Sequence, residues 1–243
     1  MSSNIQKSEE MRKSMSSIAI ITARGGSKRI PQKNIRKFCG RPIIEYSIQA
    51  ALSAGIFDEV MVSTDSKEIA DIALAAGANV PFYRSEKASG DFATTADVIM
   101  EVLNQYEKLG QIFEHASCIY PTAPFITAKK LCEGYNILKE KQGSMVMPVV
   151  MFSFPPQRSM ILDGGILKLK WPENRNIRSQ DLEPFYHDCG QFYCYDVKKF
   201  LLAEGQLVDG IIPMIMSETE VQDIDSMDDW KIAELKYKSM CEI

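Results

Sequence analysis

Between residues 18 and 150, short β-branched apolar runs alternate with stretches of helical spacing. Strand then helix, repeated, is the pattern of a mostly parallel sheet with helices on both faces. The run IAIITA at 18–23 is apolar throughout, as a strand buried on both faces must be. Further strands are expected at 59–64, 117–120 and 144–150. A short edge piece is expected at 79–83, because Pro81 cannot donate to a ladder. Helices are expected from Pro42, as first helical residue, to about Ala54, and from a Ser66 cap to Gly77. Two more run from Thr94/Thr95 to about Lys108 and from a Thr127 cap to about Lys141. The expected fold class is α/β, with a doubly wound, mostly parallel sheet.

From residue 152 the rhythm changes. Pro155-Pro156, Gly164-Gly165, Pro172 and Pro184 punctuate short strand-like pieces, with no helix until about Lys198. Residues 152–195 are read as a small antiparallel excursion laid over the main sheet. Regular structure returns at 211–216 and 221–225, and a last helix is expected over 228–240. Residues 1–16 are polar without periodicity and are read as a disordered tail, leaving 17–243 as one domain. A length of 243 residues suits one domain with an excursion.

The formal charge is −4, but it is unevenly placed. Residues 1–41 carry +8, which leaves −12 for the other 202. The net value argues against a nucleic-acid binder, and no apolar stretch is long enough to span a membrane. Six cysteines without a CxxC pair and only two histidines disfavour a zinc site. Reduced, mostly buried thiols in a cytoplasmic protein are expected.

The basic excess is concentrated directly after the first strand, in ARGGSKRIPQKN at 23–34. Arg24 to Arg41 holds seven basic residues and no acid. Adjacent Gly25 and Gly26 let the backbone turn N–H groups toward an anion. Arg24, Lys28 and Lys33 add fixed charge, and ligands of α/β sheets bind beyond such strand ends. The pattern is neither GxxxxGK[ST] nor GxGxxG. Taken alone it also fits a solvated basic loop.

The acidic counterpart is Asp223-Ile224-Asp225. In an extended segment residues i and i+2 point the same way, so both carboxylates face one side while Ile224 turns to the core. Such a pair suits Mg2+ bridging protein and substrate phosphates. A bare DxD also fits a solvated acidic turn. A third polar stretch, 175–193, is dense in aromatic and hydrogen-bonding groups. Arg178 can hold a carboxylate through two parallel bonds. Gln180, Tyr186, His187 and Gln191 can read hydroxyl and amide groups.

The motif ARGGSKRIPQKN resembles the signature of the CMP-sialic acid synthetase family, the cytidylyltransferases that activate nine-carbon sugar acids. The similarity continues in order through RPII at 41–44, FDEVMVSTD at 57–65, PTAP at 121–124 and DID at 223–225. It covers roughly residues 18–240. RSQDLEP followed by YHDCGQFY, and FPPQR at 154–158, are most similar to the pseudaminic acid cytidylyltransferase branch. Tyr120 stands where sialic acid enzymes often have Gln, and His187-Asp188 where they have Arg-Pro.

The resemblance implies a nucleotide-diphospho-sugar transferase-like fold and transfer of CMP from CTP to a sugar acid, with release of pyrophosphate. It implies a nucleotide site at Ala23, Arg24, Gly25, Gly26, Ser27, Lys28, Lys33 and Asn34. Arg24 and Lys28 act in catalysis together with Asp223 and Asp225, the family's metal-binding pair. Tyr120, Arg178, Gln180, His187 and Gln191 fall in the sugar half, and pseudaminic acid is the expected sugar. A homodimer is implied, with the excursion reaching the partner subunit. The alternatives are the same chemistry on N-acetylneuraminate, legionaminate or a deoxyoctulosonate, and a DxD glycosyltransferase. The base for the anomeric proton is not identifiable from the sequence.

Overall fold

The computed structural model describes residues 13–27 and 29–241. β1 (Lys13–Thr22) is followed by a small hairpin of β2 (Lys37–Phe38) and β3 (Arg41–Pro42). Then come α1 (Ile44–Ala54), β4 (Glu59–Ser63), α2 (Lys67–Ala75), α3 (Glu86–Ser89) and α4 (Thr95–Lys108). The chain continues through β5 (Gln111–Ile119), α5 (Ala128–Lys141), β6 (Met145–Met151), β7 (Met160–Asp163) and β8 (Ile166–Leu169). It ends with β9 (Tyr186–Asp188), β10 (Phe192–Asp196), α6 (Val197–Leu202), β11 (Ile211–Ile215) and α7 (Met227–Cys241).

The main sheet has the order β11-β6-β10-β5-β1-β4, with β9 also paired to β6. β11, β6, β5, β1 and β4 all point one way, and β9 and β10 run against them. Two helix layers cover the sheet, and β1 shows why its sequence is unbroken by polar residues. Ala19 and Ile21 pack with Ile44 and Ile48 of α1, Ile69 of α2 and Leu131 of α5. Ile18 and Ile20 face the other way, onto Ile99 and Val102 of α4 and Phe200 of α6. Each of these isoleucine, leucine, valine and phenylalanine side chains contributes about 1.5–3 kcal/mol on burial.

A third, smaller core lies beyond the strand ends. It joins Ile30 of the basic loop, Phe38, Tyr46 and Phe125 to Ile224 and Trp230. Ile30 is 0% and Ile224 1% exposed. These two side chains tie the basic loop to the DxD segment across most of the chain's length.

Several boundaries differ from the sequence reading. β1 starts at Lys13, because residues 13–18 extend along β5 from Gln111 to Ala116. Residues 13–16 therefore belong to the sheet, and the rest of the expected tail lies outside the described residues. Pro42 pairs with Lys37 in β3, and the Ile43 N–H goes to the Arg36 carbonyl, so α1 begins only at Ile44. At 79–83 only the bridge Met61↔Asn79 forms. Among the described residues none forms a partner strand for 221–225. Side chains satisfy that backbone instead: Lys236 Nζ donates to the Val221 carbonyl at 2.8 Å and Lys33 Nζ to the Ile224 carbonyl at 2.7 Å.

The excursion is also shorter than the expected 152–195. β9 and β10 belong to the main sheet, and Phe192, Tyr193, Cys194 and Tyr195 are all core. What projects is 152–185, built round the β7–β8 hairpin. Gly164 and Gly165 form its turn with φ of 56° and 84°, a left-handed geometry that favours glycine. Among the described residues no helix is long and apolar enough to cross a membrane.

Candidate active site

β1 and β5 are neighbours, yet the chain leaves β1 toward β4 on one side before returning to β5 on the other. This is a topological switch point, where α/β sheets open a crevice at the strand ends. A cavity of about 690 Å3 lies there. Its walls include Arg24, Ser27, Lys33 and Asn34 from the basic loop, Tyr120 from the end of β5, and both Asp223 and Asp225.

The basic loop is held by specific bonds rather than by its glycines alone. The Ala23 N–H donates to the Ser63 carbonyl at 3.0 Å, and Ala23 is buried. The Asn34 side-chain amide donates to the Arg24 carbonyl at 2.8 Å, so Asn34 braces the loop from below. The Gly25 N–H donates to Asp65 Oδ1 at 2.7 Å and is therefore not a free anion donor here. Gly25 is needed for close approach, since a Cβ on it would stand 3.2 Å from the Ser66 Cβ. Gly26 is exposed, with open space where a Cβ would sit. Lys28 lies outside the described residues. Asp65 thus anchors the loop, while its neighbour Ser66 caps α2 by accepting from the Ile69 N–H.

Charge closes the cleft across its width. Arg29 Nη1 meets Asp225 Oδ2 at 2.6 Å and Lys33 Nζ meets Asp225 Oδ1 at 3.4 Å. Arg24 Nη1 reaches Asp91 at 3.4 Å. Ile224 is buried between the two aspartates, as its alternation with them requires. Burial, and then the Asp225 charge, raise the Asp223 carboxyl above its ordinary value, against the pull of Lys33. Ser226 and Asp229 cap α7: Asp229 Oδ2 accepts from the Ser226 hydroxyl and from the Ser226 N–H, each at 2.7 Å, and these bonds hold the Asp229 carboxyl below its usual range.

Among the described residues no group of three or more His, Cys, Asp or Glu could hold a metal ion. Two carboxylates opening into a cavity lined by basic side chains fit a different case. Mg2+ is typically bound through one or two carboxylates together with substrate phosphates, and keeps several waters. The donor set at Asp223 and Asp225 therefore fits that ion.

The sugar-half residues are dispersed. Only Tyr120 lines the main cleft; its hydroxyl lies 3.1 Å from Thr95 Oγ1. Gln191 is buried, and its Nε2 donates to the Glu220 carbonyl at 2.7 Å. His187 lies in β9 with its ring 4.7 Å from Phe152. Arg178 is 71% exposed and pairs with Asp181 of its own turn at 2.7 Å. Gln180 lines a second cavity of about 890 Å3 formed wholly within the excursion and the end of β6, with Phe152, Phe154 and Arg158.

Arg84 is a cleft residue that sequence reasoning missed. It is buried, and its guanidinium donates to the Ser63 hydroxyl at 3.0 Å and the Ser63 carbonyl at 2.7 Å. Burial lowers its pKa from the ordinary value, against the opposing pull of Asp65 and Glu101. Its only sequence signal is an Arg closing the strand-like run 79–83. Thr94 and Thr95 also line the cleft. Thr94 caps α4 through a reciprocal pair of bonds with Asp97, whose carboxyl those bonds hold low. Cys118 and Cys194 are buried, which pushes each thiol up to about 12 and leaves no thiolate nucleophile at neutral pH.

A basic loop and a carboxylate pair facing one another at the switch point of a doubly wound sheet define a nucleotidyltransferase. The chain belongs to the cytidylyltransferase family, whose profile matches residues 18–154. It is 37% identical over 225 residues to a pseudaminic acid cytidylyltransferase of Campylobacter jejuni, covering 92% of this chain and 97% of that one. It is 31% identical to a CMP-N,N'-diacetyllegionaminic acid synthase of Legionella pneumophila, covering 89% and 94%. Its fold is shared by a CTP-complexed CMP:2-keto-3-deoxy-manno-octonic acid synthetase, with a TM-score of 0.67 at 15% identity over 94% of this chain.

Proposed function

We propose that this protein joins CTP to pseudaminic acid, giving CMP-pseudaminic acid and pyrophosphate, with Mg2+ as its metal. The observation that carries the reading is the meeting of Lys33 and Arg29 with Asp225 across the switch-point cleft. The similarity to a pseudaminic acid cytidylyltransferase over 92% of the chain supports the sugar.

The reaction is an in-line exchange at the α-phosphorus. The anomeric hydroxyl oxygen of the sugar acid forms the new P–O bond as its proton passes to solvent, the bond to the β-phosphate bridge breaks, and pyrophosphate leaves with the electron pair. Arg24, Ser27 and Lys33 hold the phosphates, with Lys28 beside them in the motif. Asn34 and Asp65 keep the loop in the shape that presents these groups. Asp223 and Asp225 hold the metal, which when bound supplies neutralising charge at the phosphates. Most of the acceleration then comes from positioning and fixed charge.

A homodimer fits the exposed hairpin. Met160, Leu162, Ile166 and Leu167 are all exposed on β7 and β8, with Leu162 at 72%. An apolar surface of this kind marks an association site. A second copy seated there would bring Arg178 and Gln180 toward a cleft they do not line within one chain. Cys118, Cys189 and Cys194, buried thiols outside any disulfide, support a reducing, cytoplasmic setting.

The test is pyrophosphate release from CTP and Mg2+ with pseudaminic, legionaminic and N-acetylneuraminic acids in turn. Release is expected with pseudaminic acid. No release with any sugar acid contradicts the reaction, and release with N-acetylneuraminic acid alone contradicts the sugar.

A further inference from the structure

Two of the positions that set this chain apart from the sialic acid pattern are Tyr120 and Asp188, far apart in sequence. In the structure they meet through a third residue. Asp188 ends β9, and Tyr193 follows on β10. Tyr193 donates its hydroxyl proton to Asp188 Oδ2 at 2.5 Å, since an ionised carboxylate only accepts. The other carboxylate oxygen, Oδ1, accepts from the Gly190 N–H at 2.8 Å. The Tyr193 ring stands edge-on to the Tyr120 ring, with centroids 5.8 Å apart and planes at 84°. Tyr120 and Gly190 both line the main cleft, whereas Tyr193 is 7% exposed and sits behind them.

We propose that Asp188 is a positioning residue for the sugar acid: it fixes the Gly190 turn and the Tyr193 ring, and through them the Tyr120 wall of the cleft. The inference rests on the proposed function and assigns a role within its sugar half. Three features carry it. Both oxygens of Asp188 are committed to parts of one wall. Gly190 adopts a φ of 59°, a turn geometry that the Asp188 bond to its N–H holds in place. Tyr120 is held at three points: its N–H donates to the Gln191 carbonyl at 2.8 Å, its carbonyl accepts from Ser47 Oγ at 2.8 Å, and its hydroxyl meets Thr95. The wall is thus preorganised, with the Asp188 carboxylate at its back. With its oxygens already engaged, Asp188 shapes the site for a sugar acid without offering a lone carboxylate to the substrate's own. None of the described residues of the phosphate loop takes part in this network, so the nucleotide half is predicted to be insensitive to it.

The test is steady-state kinetics with whichever sugar acid the wild-type enzyme accepts, varying it at saturating CTP and then the reverse. Asp188→Ala and Tyr193→Phe are each expected to raise the sugar-acid KM about tenfold and to leave the CTP KM within about twofold. Asp188→Asn keeps one acceptor oxygen and is expected to lose less. The double variant Asp188→Ala/Tyr193→Phe is expected to be no worse than the worse single variant, because both remove one shared bond. Tyr193→Phe keeps the ring and so tests the proposal even if Asp188→Ala fails to fold. An unchanged sugar-acid KM in Tyr193→Phe overturns the proposal, as do equal rises in both KM values or losses that sum in the double variant. Turnover of legionaminic acid in place of pseudaminic acid would change the sugar named above and leave this comparison of variants fully readable.

Discussion

The basic loop and the excursion are both dense in polar side chains, but they are built differently. In the loop, Ala23, Asn34 and Ile30 are buried, and bonds to Ser63, Arg24 and Asp65 fix the backbone. In the excursion, β7 is exposed at every position and Arg178 finds only Asp181 three residues away. A region organised by the core can present charges with no ligand there to order them. A region without a core of its own depends on what docks against it. The described part of the loop is therefore held in place within a single chain, and in the proposed dimer the excursion is the part that would take its role from association.

The strongest way to break this contrast is to remove a charge from the braced half. Asp225→Asn is expected to cut turnover by about 1000-fold while the melting temperature changes little, checked by pyrophosphate release and thermal unfolding. Near-normal turnover would detach the carboxylate pair from the chemistry. Next in size is the apolar tie beneath it. Ile224→Ala is expected to cost about 3 kcal/mol in urea unfolding and to lower turnover as well, because it loosens the joint between loop and carboxylates. A stability loss with full activity would show that the third core only supports the fold.

On the other side of the comparison, Leu162→Asp is expected to shift the chain from dimer to monomer in sedimentation, with the monomer still folded. Arg178→Ala is expected to raise the sugar-acid KM by about tenfold and to leave CTP binding unaltered. The smallest effect on stability concerns Asp223. Its carboxyl is raised by burial and by Asp225, so the folded chain holds that proton more tightly than the unfolded chain does. The ionised group therefore costs stability once the pH rises above the ordinary carboxylate range. Asp223→Asn is expected to give a slightly higher melting temperature at neutral pH without Mg2+, together with lost turnover. A lower melting temperature would mean that Asp223 is held by a favourable partner instead.

Much of the braced half was legible in the sequence because its signals are local. The apolar run before ARGGSKR marks a strand buried on both faces, and Ser66, Thr94 and Thr127 each accept from a backbone N–H at a helix start, as their residue types imply. The alternation of Asp223, Ile224 and Asp225 put the carboxylates on one side without a strand to hold them. What stayed hidden was set by partners distant in sequence. Gln191 looks like a polar reader of sugars, but the main sheet buries it against Glu220. β10 looked like part of an irregular excursion, because nothing in 192–196 says that it will run antiparallel between β5 and β6. Arg84 gave no motif, since its place in the cleft depends on Ser63 from the neighbouring strand.

In the proposed reaction the cleft between β1 and β5 directs attack on the α-phosphorus of CTP by a sugar acid. Phosphorus NMR of a reaction with CTP, Mg2+ and pseudaminic acid tests it most directly. The triphosphate resonances are expected to give way to equal amounts of pyrophosphate and a single new phosphodiester. Formation of CDP with inorganic phosphate, or loss of CTP at the same rate without the sugar acid, would contradict it.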